Sequence, residues 1–92
     1  MKKADYVLFF TTQGCSGCEA MRPVMEKLYK EGYRIRFINF RNERRTAVSF
    51  KVTAVPTTIL RTNQGVEVKR WVGRVREKEI KEYLNREIQT SL

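Results

Sequence analysis

Histidine is absent from this 92-residue chain, and cysteine occurs twice, at Cys15 and Cys18. One copy therefore cannot complete a closed four-ligand zinc site of cysteine and histidine. Low-complexity tracts and internal repeats are also missing, so order is expected nearly end to end. No apolar run approaches the roughly 20 residues that span a bilayer, and no membrane association is expected. The opening MKKADYVLFF carries two lysines, but its apolar run stops at Phe10 with no small-residue cleavage site after it. It reads as a first strand and not as a targeting signal, with a cytoplasmic location as the expectation.

Acidic residues are scarce beside basic ones, 10 against 19, which leaves a net charge of +9. Such a balance raises nucleic acid as a partner. The cations are nevertheless scattered, with Arg22, Lys30, Arg36, Arg44, Lys51, Arg61, Arg70 and Arg76 falling on different elements. Neither a basic helix stripe nor the aromatic-basic pattern of an RNA-binding sheet is present. A solvated basic surface is the first reading, with acidic protein partners and nucleic acid level behind it, so nucleic acid is not expected.

What remains is a globular composition, 41% hydrophobic and 32% charged, of a length that suits one small domain over residues 1–92 with a single modest core. Tyr6 to Phe10 is a continuous apolar run, as expected of a central strand covered on both faces. From Cys18 the period changes, and Cys18, Met21, Met25, Leu28 and Tyr29 form a helical stripe that Gly32 ends. In RIRFINF, Ile35 and Phe37 alternate with Arg34 and Arg36, which predicts a second strand with those apolar residues inward. NERRTAVSF is read as a short helix. TTILR and VEVKRWV are strands three and four, joined by a TNQG turn. A final helix begins near Arg76 with Ile80, Tyr83, Leu84 and Ile88 as its buried stripe. The order is βαβαββα. A right-handed crossover makes the first two strands parallel and the hairpin makes the last two antiparallel, giving an α/β fold with a four-stranded mixed sheet and helices on both faces.

Sites in such sheets lie at the carboxyl ends of strands, and GCSGC sits at the end of the first one, where a helix starts. Three readings of Cys15 and Cys18 follow. A structural disulfide closing so short a loop removes little unfolded-state entropy, about 2 kcal/mol before strain. A soft-metal site would use two thiolates for Cu(I), or supply half of a zinc site. In a redox pair, the helix N-terminus directs unpaired N–H groups at Cys15 and favours its thiolate, while Cys18, one turn in, is shielded. That makes an attacking and a resolving thiol.

At these residues the chain resembles the thioredoxin-fold oxidoreductases. Beyond Cys-x-x-Cys, Pro23 lies five residues after Cys18, where the family carries a helix-kinking proline. Val55-Pro56-Thr57 is similar to the cis-proline motif that faces the disulfide, and Val72-Gly73 to a Val-Gly beside the substrate groove. The likeness runs over about residues 5 to 88 and follows the shorter outline of glutaredoxins and minimal thioredoxin-like proteins. It implies a thioredoxin fold and thiol-disulfide exchange with protein substrates, in the service of cellular redox homeostasis, with no metal or organic cofactor. Cys15 and Cys18 would be catalytic, and Gly14, Ser16, Gly17, Val55, Pro56 and Gly73 would meet the substrate. Ser16 is a candidate hydrogen-bond donor to the thiolate. Implied partners are disulfide-containing proteins and a reductant that is thioredoxin-reductase-like or glutathione-based, acting on a monomer; the net charge adds acidic proteins as candidates among those substrates.

The departures from the family pattern are specific. Gly14 replaces a tryptophan and Ser16-Gly17 replaces Gly-Pro, which loosens the loop. The segment Val72-Gly73-Arg74-Val75-Arg76 lacks the second glycine and the acid with which glutaredoxins hold glutathione, although Arg74 or Arg76 can still meet a carboxylate. The family's buried aspartate falls at Phe9 and its lysine at Phe37, so the usual proton acceptor is missing. Met21 and Met25 are read as core, and Trp71 either covers the groove or packs on the strand. Outside the redox reading stand a soft-metal carrier using the same sulfurs for Cu(I) or Zn, and a non-catalytic binding module.

Overall fold

A computed structural model describes residues 3–85. The first apolar run forms β1 (Tyr6–Thr11), whose four central residues are all buried, as a strand covered on both faces requires. After it come α1 (Ser16–Lys30), β2 (Arg34–Asn39), α2 (Arg44–Ser49), β3 (Thr57–Arg61), β4 (Glu67–Val72) and α3 (Glu77–Lys81). The sheet order is β2-β1-β3-β4, with β1 and β2 parallel and the β1/β3 and β3/β4 pairs antiparallel. The helix periodicity, the hairpin and the crossover thus assemble the expected mixed sheet, with β1 inside it.

Alternation along β1 divides the core. Val7 and Phe9 join Met21, Met25 and Leu28 of α1 and Ile80 of α3 on one face. Leu8 and Phe10 meet Ile38, Ala47 of α2, Val52 and Ile59 on the other. Period-2 side-chain direction in the strand therefore places helices on both faces. Met21 and Met25 are core residues, as their spacing indicates.

Two stripe expectations need correction. Tyr29 is 60% exposed and Phe37 is 43% exposed. β2 is an edge strand, so no neighbour covers its outer flank. The two rings pack against each other there, with centroids 6.3 Å apart, and Phe37 also meets Phe9 edge-on at 6.1 Å. They form an aromatic cover over the core margin, where the sequence pattern placed them inside it.

The last helix is also shorter than its periodicity indicates. α3 stops at Lys81, and Leu84 forms an isolated parallel bridge with Ala4. Ala4 N–H donates to Tyr83 O at 2.6 Å, Asn85 N–H donates to Ala4 O at 2.9 Å, and the Asp5 carboxylate accepts from Asn85 Nδ2 at 3.0 Å. Competition from this amino-terminal segment draws the backbone out of the helix, while Ile80 and Leu84 remain buried. Ile88 lies outside the described residues. Trp71 stacks edge-on against Tyr83 at 5.8 Å within the α1-side core, which settles its role as strand packing. No helix among the described residues is long and apolar enough to cross a membrane.

Candidate functional site

β1 delivers the chain to the site. Beyond Thr11 the backbone turns through Gly14, whose φ of +76° is a conformation that side chains other than glycine's rarely adopt. Cys15 then takes an extended conformation as N-cap of α1, and its Sγ accepts a hydrogen bond from Cys18 N–H at 3.1 Å. The sulfur thereby occupies the place of a capping oxygen, against the orphan N–H groups of the first turn. Cys15 is half-buried and Cys18 is 0% exposed. The two are joined as a disulfide with Cα atoms 5.2 Å apart, so this is the oxidised form of the pair.

The loop before β3 faces that sulfur. The Val55–Pro56 peptide bond is cis, as the motif implies, and Cys15 Sγ lies 3.7 Å from Val55 O. A Cβ added to Gly17 would stand 3.0 Å from Pro56 Cδ, so the absence of a side chain there lets helix and loop close on one another. Gly73, with φ of +97°, donates its N–H to Pro56 O at 2.8 Å, and a Cβ on it would meet nothing within 4 Å. Thr57, buried, braces the loop by donating its hydroxyl to Ala54 O at 2.7 Å.

Of the candidate residues, Cys15, Cys18, Gly17, Val55, Pro56 and Gly73 therefore converge from three segments. Gly14 and Ser16 are exposed on the loop, and among the described residues no hydrogen bond joins Ser16 to Cys15. Phe9 is 1% exposed among Met21 and Met25, an apolar occupant of the position where the family pattern has a buried acid. Two contributors went unread in the sequence. Met21 Sδ accepts from Val75 N–H at 3.4 Å, tying the segment after Gly73 to α1, and the Thr57 hydroxyl braces the proline loop. Met21 carries only a core signal at helical spacing, and Thr57 lies inside the motif itself. Among the described residues no group of three or more His, Cys, Asp or Glu side chains could hold a metal ion.

This geometry has counterparts. Residues 1–88 match a thioredoxin-like domain family. The chain is 30% identical over 90 residues to a thioredoxin of Buchnera aphidicola subsp. Acyrthosiphon pisum, spanning 94% of this chain and 82% of that protein. Among solved structures, a mutant thioredoxin from Halobacterium salinarum NRC-1 superposes with a TM-score of 0.79 at 26% identity, over 97% of this chain and 78% of that one. The thioredoxin of Fasciola hepatica gives 0.74 at 29% identity, over 88% and 78%. A disulfide at a helix start, a cis-proline loop against it and a family match over nearly the whole length lead to one assignment: the chain belongs to the thioredoxin-like family and is a thiol-disulfide oxidoreductase.

Proposed function

We propose that the protein reduces disulfides of protein substrates with Cys15 as nucleophile and Cys18 as resolving thiol, working as a cytoplasmic monomer with one domain over residues 1–92. The observation that carries this reading is the asymmetry of the pair: Cys15 reaches the surface beside Val55 and Pro56, whereas Cys18 is fully buried beneath it. In the reduced protein, Cys15 thiolate attacks one sulfur of a substrate disulfide. That S–S bond breaks, one substrate thiolate leaves, and a mixed disulfide forms. Cys18, once deprotonated, attacks Cys15 Sγ, releasing the second substrate thiolate and forming the Cys15–Cys18 disulfide. Two electrons have then passed to the substrate, and a thioredoxin-reductase-like or glutathione-based reductant returns them.

Helix N–H groups, Cys18 N–H foremost, stabilise negative charge on the attacking sulfur. Among the described residues no strand pairs with Val55, which leaves its backbone N–H and C=O available to an extended substrate segment as a short strand addition. Gly17 and Gly73 keep the approach low on either side of Pro56. The Cys-Ser-Gly-Cys sequence gives this loop two residues, Ser16 and Gly17, with no side chain bulkier than a hydroxymethyl group.

Insulin reduction by dithiothreitol tests the reading. Catalytic amounts of the protein should hasten precipitation of the freed B chain, and Cys15→Ser should not. Wild-type protein that leaves the uncatalysed rate unchanged would overturn it.

A further inference from the structure

On the Gly73 side of the disulfide, the surface continues into a cleft that the cysteine chemistry does not use. It encloses about 470 Å³ between the first turns of α1 and the segment joining β4 to α3. Its floor is apolar, made by Ala20, Met21, Val24 and Val75. The bond from Val75 N–H to Met21 Sδ pins the two walls together and leaves that donor already satisfied.

Four charges stand on the rim, and three of them are engaged. Arg76 pairs with Glu79 at 3.2 Å, and Glu77 pairs with Lys27 at 3.1 Å and Lys81 at 3.0 Å. The remaining rim charge belongs to Arg74, which is exposed and, among the described residues, has no ion pair or hydrogen bond. Arg74 directly follows Gly73, whose N–H is bonded to the cis-proline. A chain laid along Val55 and across Gly73 thus arrives over an apolar floor with Arg74, unpaired among the described residues, above it.

From these observations we infer that the cleft is a side-chain subsite for the protein substrate, taking an apolar residue next to an aspartate or glutamate close to the substrate's reactive cysteine. Arg74 receives the carboxylate, and Ala20, Val24 and Val75 receive the apolar side chain. The inference rests on the proposed role of Cys15. Glutathione supplies carboxylates but no apolar side chain for the floor, so a protein segment fits better than the tripeptide.

The test uses end-blocked peptides linked as symmetric disulfide dimers, each cysteine flanked on both sides by Leu-Glu, Leu-Lys or Gly-Glu, with oxidised glutathione as a fourth substrate. Full-length reduced protein is mixed with each in single turnover, and the freed thiol is measured after acid quench. The Leu-Glu dimer should react about three- to tenfold faster than any of the others, the range of an exposed to partly desolvated ion pair. Arg74→Glu should reverse the order of Leu-Glu and Leu-Lys, whereas Arg45→Glu, the same charge change on α2, should not. Equal rates for all four substrates, a preference for glutathione, or an Arg45→Glu effect as large as that of Arg74→Glu would overturn the subsite and leave the role of Cys15 standing. Failure of wild-type protein to reduce any of them would remove both.

Discussion

Cys15 and Cys18 lie three residues apart on one turn of backbone, yet one helix turn separates a half-buried sulfur from a fully buried one. Iodoacetamide added to the reduced protein should therefore modify Cys15 first, and peptide mapping that finds Cys18 labelled ahead of it would reverse the assigned roles. Phe9 carries the other residue-level consequence. Its ring fills the core under α1, so no carboxylate at that position takes the proton from the resolving thiol. Release of the second substrate thiol should accelerate with pH until Cys18 titrates, with no earlier carboxylate step. Phe9→Asp would put an unpaired acid in an apolar site and delete a large buried side chain, at a cost of about 3–5 kcal/mol in denaturant unfolding. A variant as stable as wild type would show that Phe9 does not sit where the core packing puts it.

At the scale of elements, the closing contacts are polar and short-range. Asp5, just before β1, accepts from Asn63 N–H at 2.7 Å and from Asn85 Nδ2 at 3.0 Å, joining the entry to that strand to the β3–β4 turn and to the segment after α3. The Asn63 backbone hydrogen bond, helped by Asn85 and by the charge of Arg34, holds its carboxyl below the usual value. Glu77, bonded first to Lys81 and then to Lys27, is lowered likewise where α3 meets α1. A carboxylate with a folded value below its unfolded one adds stability that is complete above the ordinary carboxylate range and is lost as pH falls through the folded value. Acid unfolding should accordingly begin with these ties. Asp5→Asn should lower the melting temperature at neutral pH while flattening its decline below about pH 4. An unchanged acid limb would assign the acid sensitivity to other carboxylates. Both groups are half-buried at the surface and in reach of solvent, so the effects should be modest and should shrink in salt.

Considered as a whole molecule, the protein carries nine more positive than negative charges. Among the described residues, six carboxylates are already committed in ion pairs: Glu19, Glu31, Glu43, Glu67, Glu77 and Glu79. The unbalanced field therefore comes from cations such as Arg41, Arg44, Arg45 and Arg74, all exposed. If that field gathers acidic substrates, the second-order rate with an acidic protein disulfide should fall by roughly tenfold as salt rises from about 20 to 500 mM, while single-turnover resolution holds constant. A salt-independent encounter rate would leave the charge without this role.

Much of this was readable from the chain because it is local. The change of period at Cys18, the TNQG turn and the Val55-Pro56-Thr57 triplet each depend on neighbours within a few residues, so element order, strand directions and the cysteine pair were legible. Phe37 and Tyr29 were not, because alternation says which face a side chain takes and cannot say that β2 would be left as an uncovered edge. The end of α3 was hidden for a related reason: its helical period continues past Lys81, whereas the backbone there bonds to Ala4, some eighty residues away in sequence. The same holds at the site. Local sequence determined a thiol at a helix start and a proline before a strand. Only the folded sheet brought Cys15 to within 3.7 Å of Val55 O, Gly17 against Pro56 and Arg74 over an apolar cleft, since contacts across forty to sixty residues are set by packing and not by periodicity.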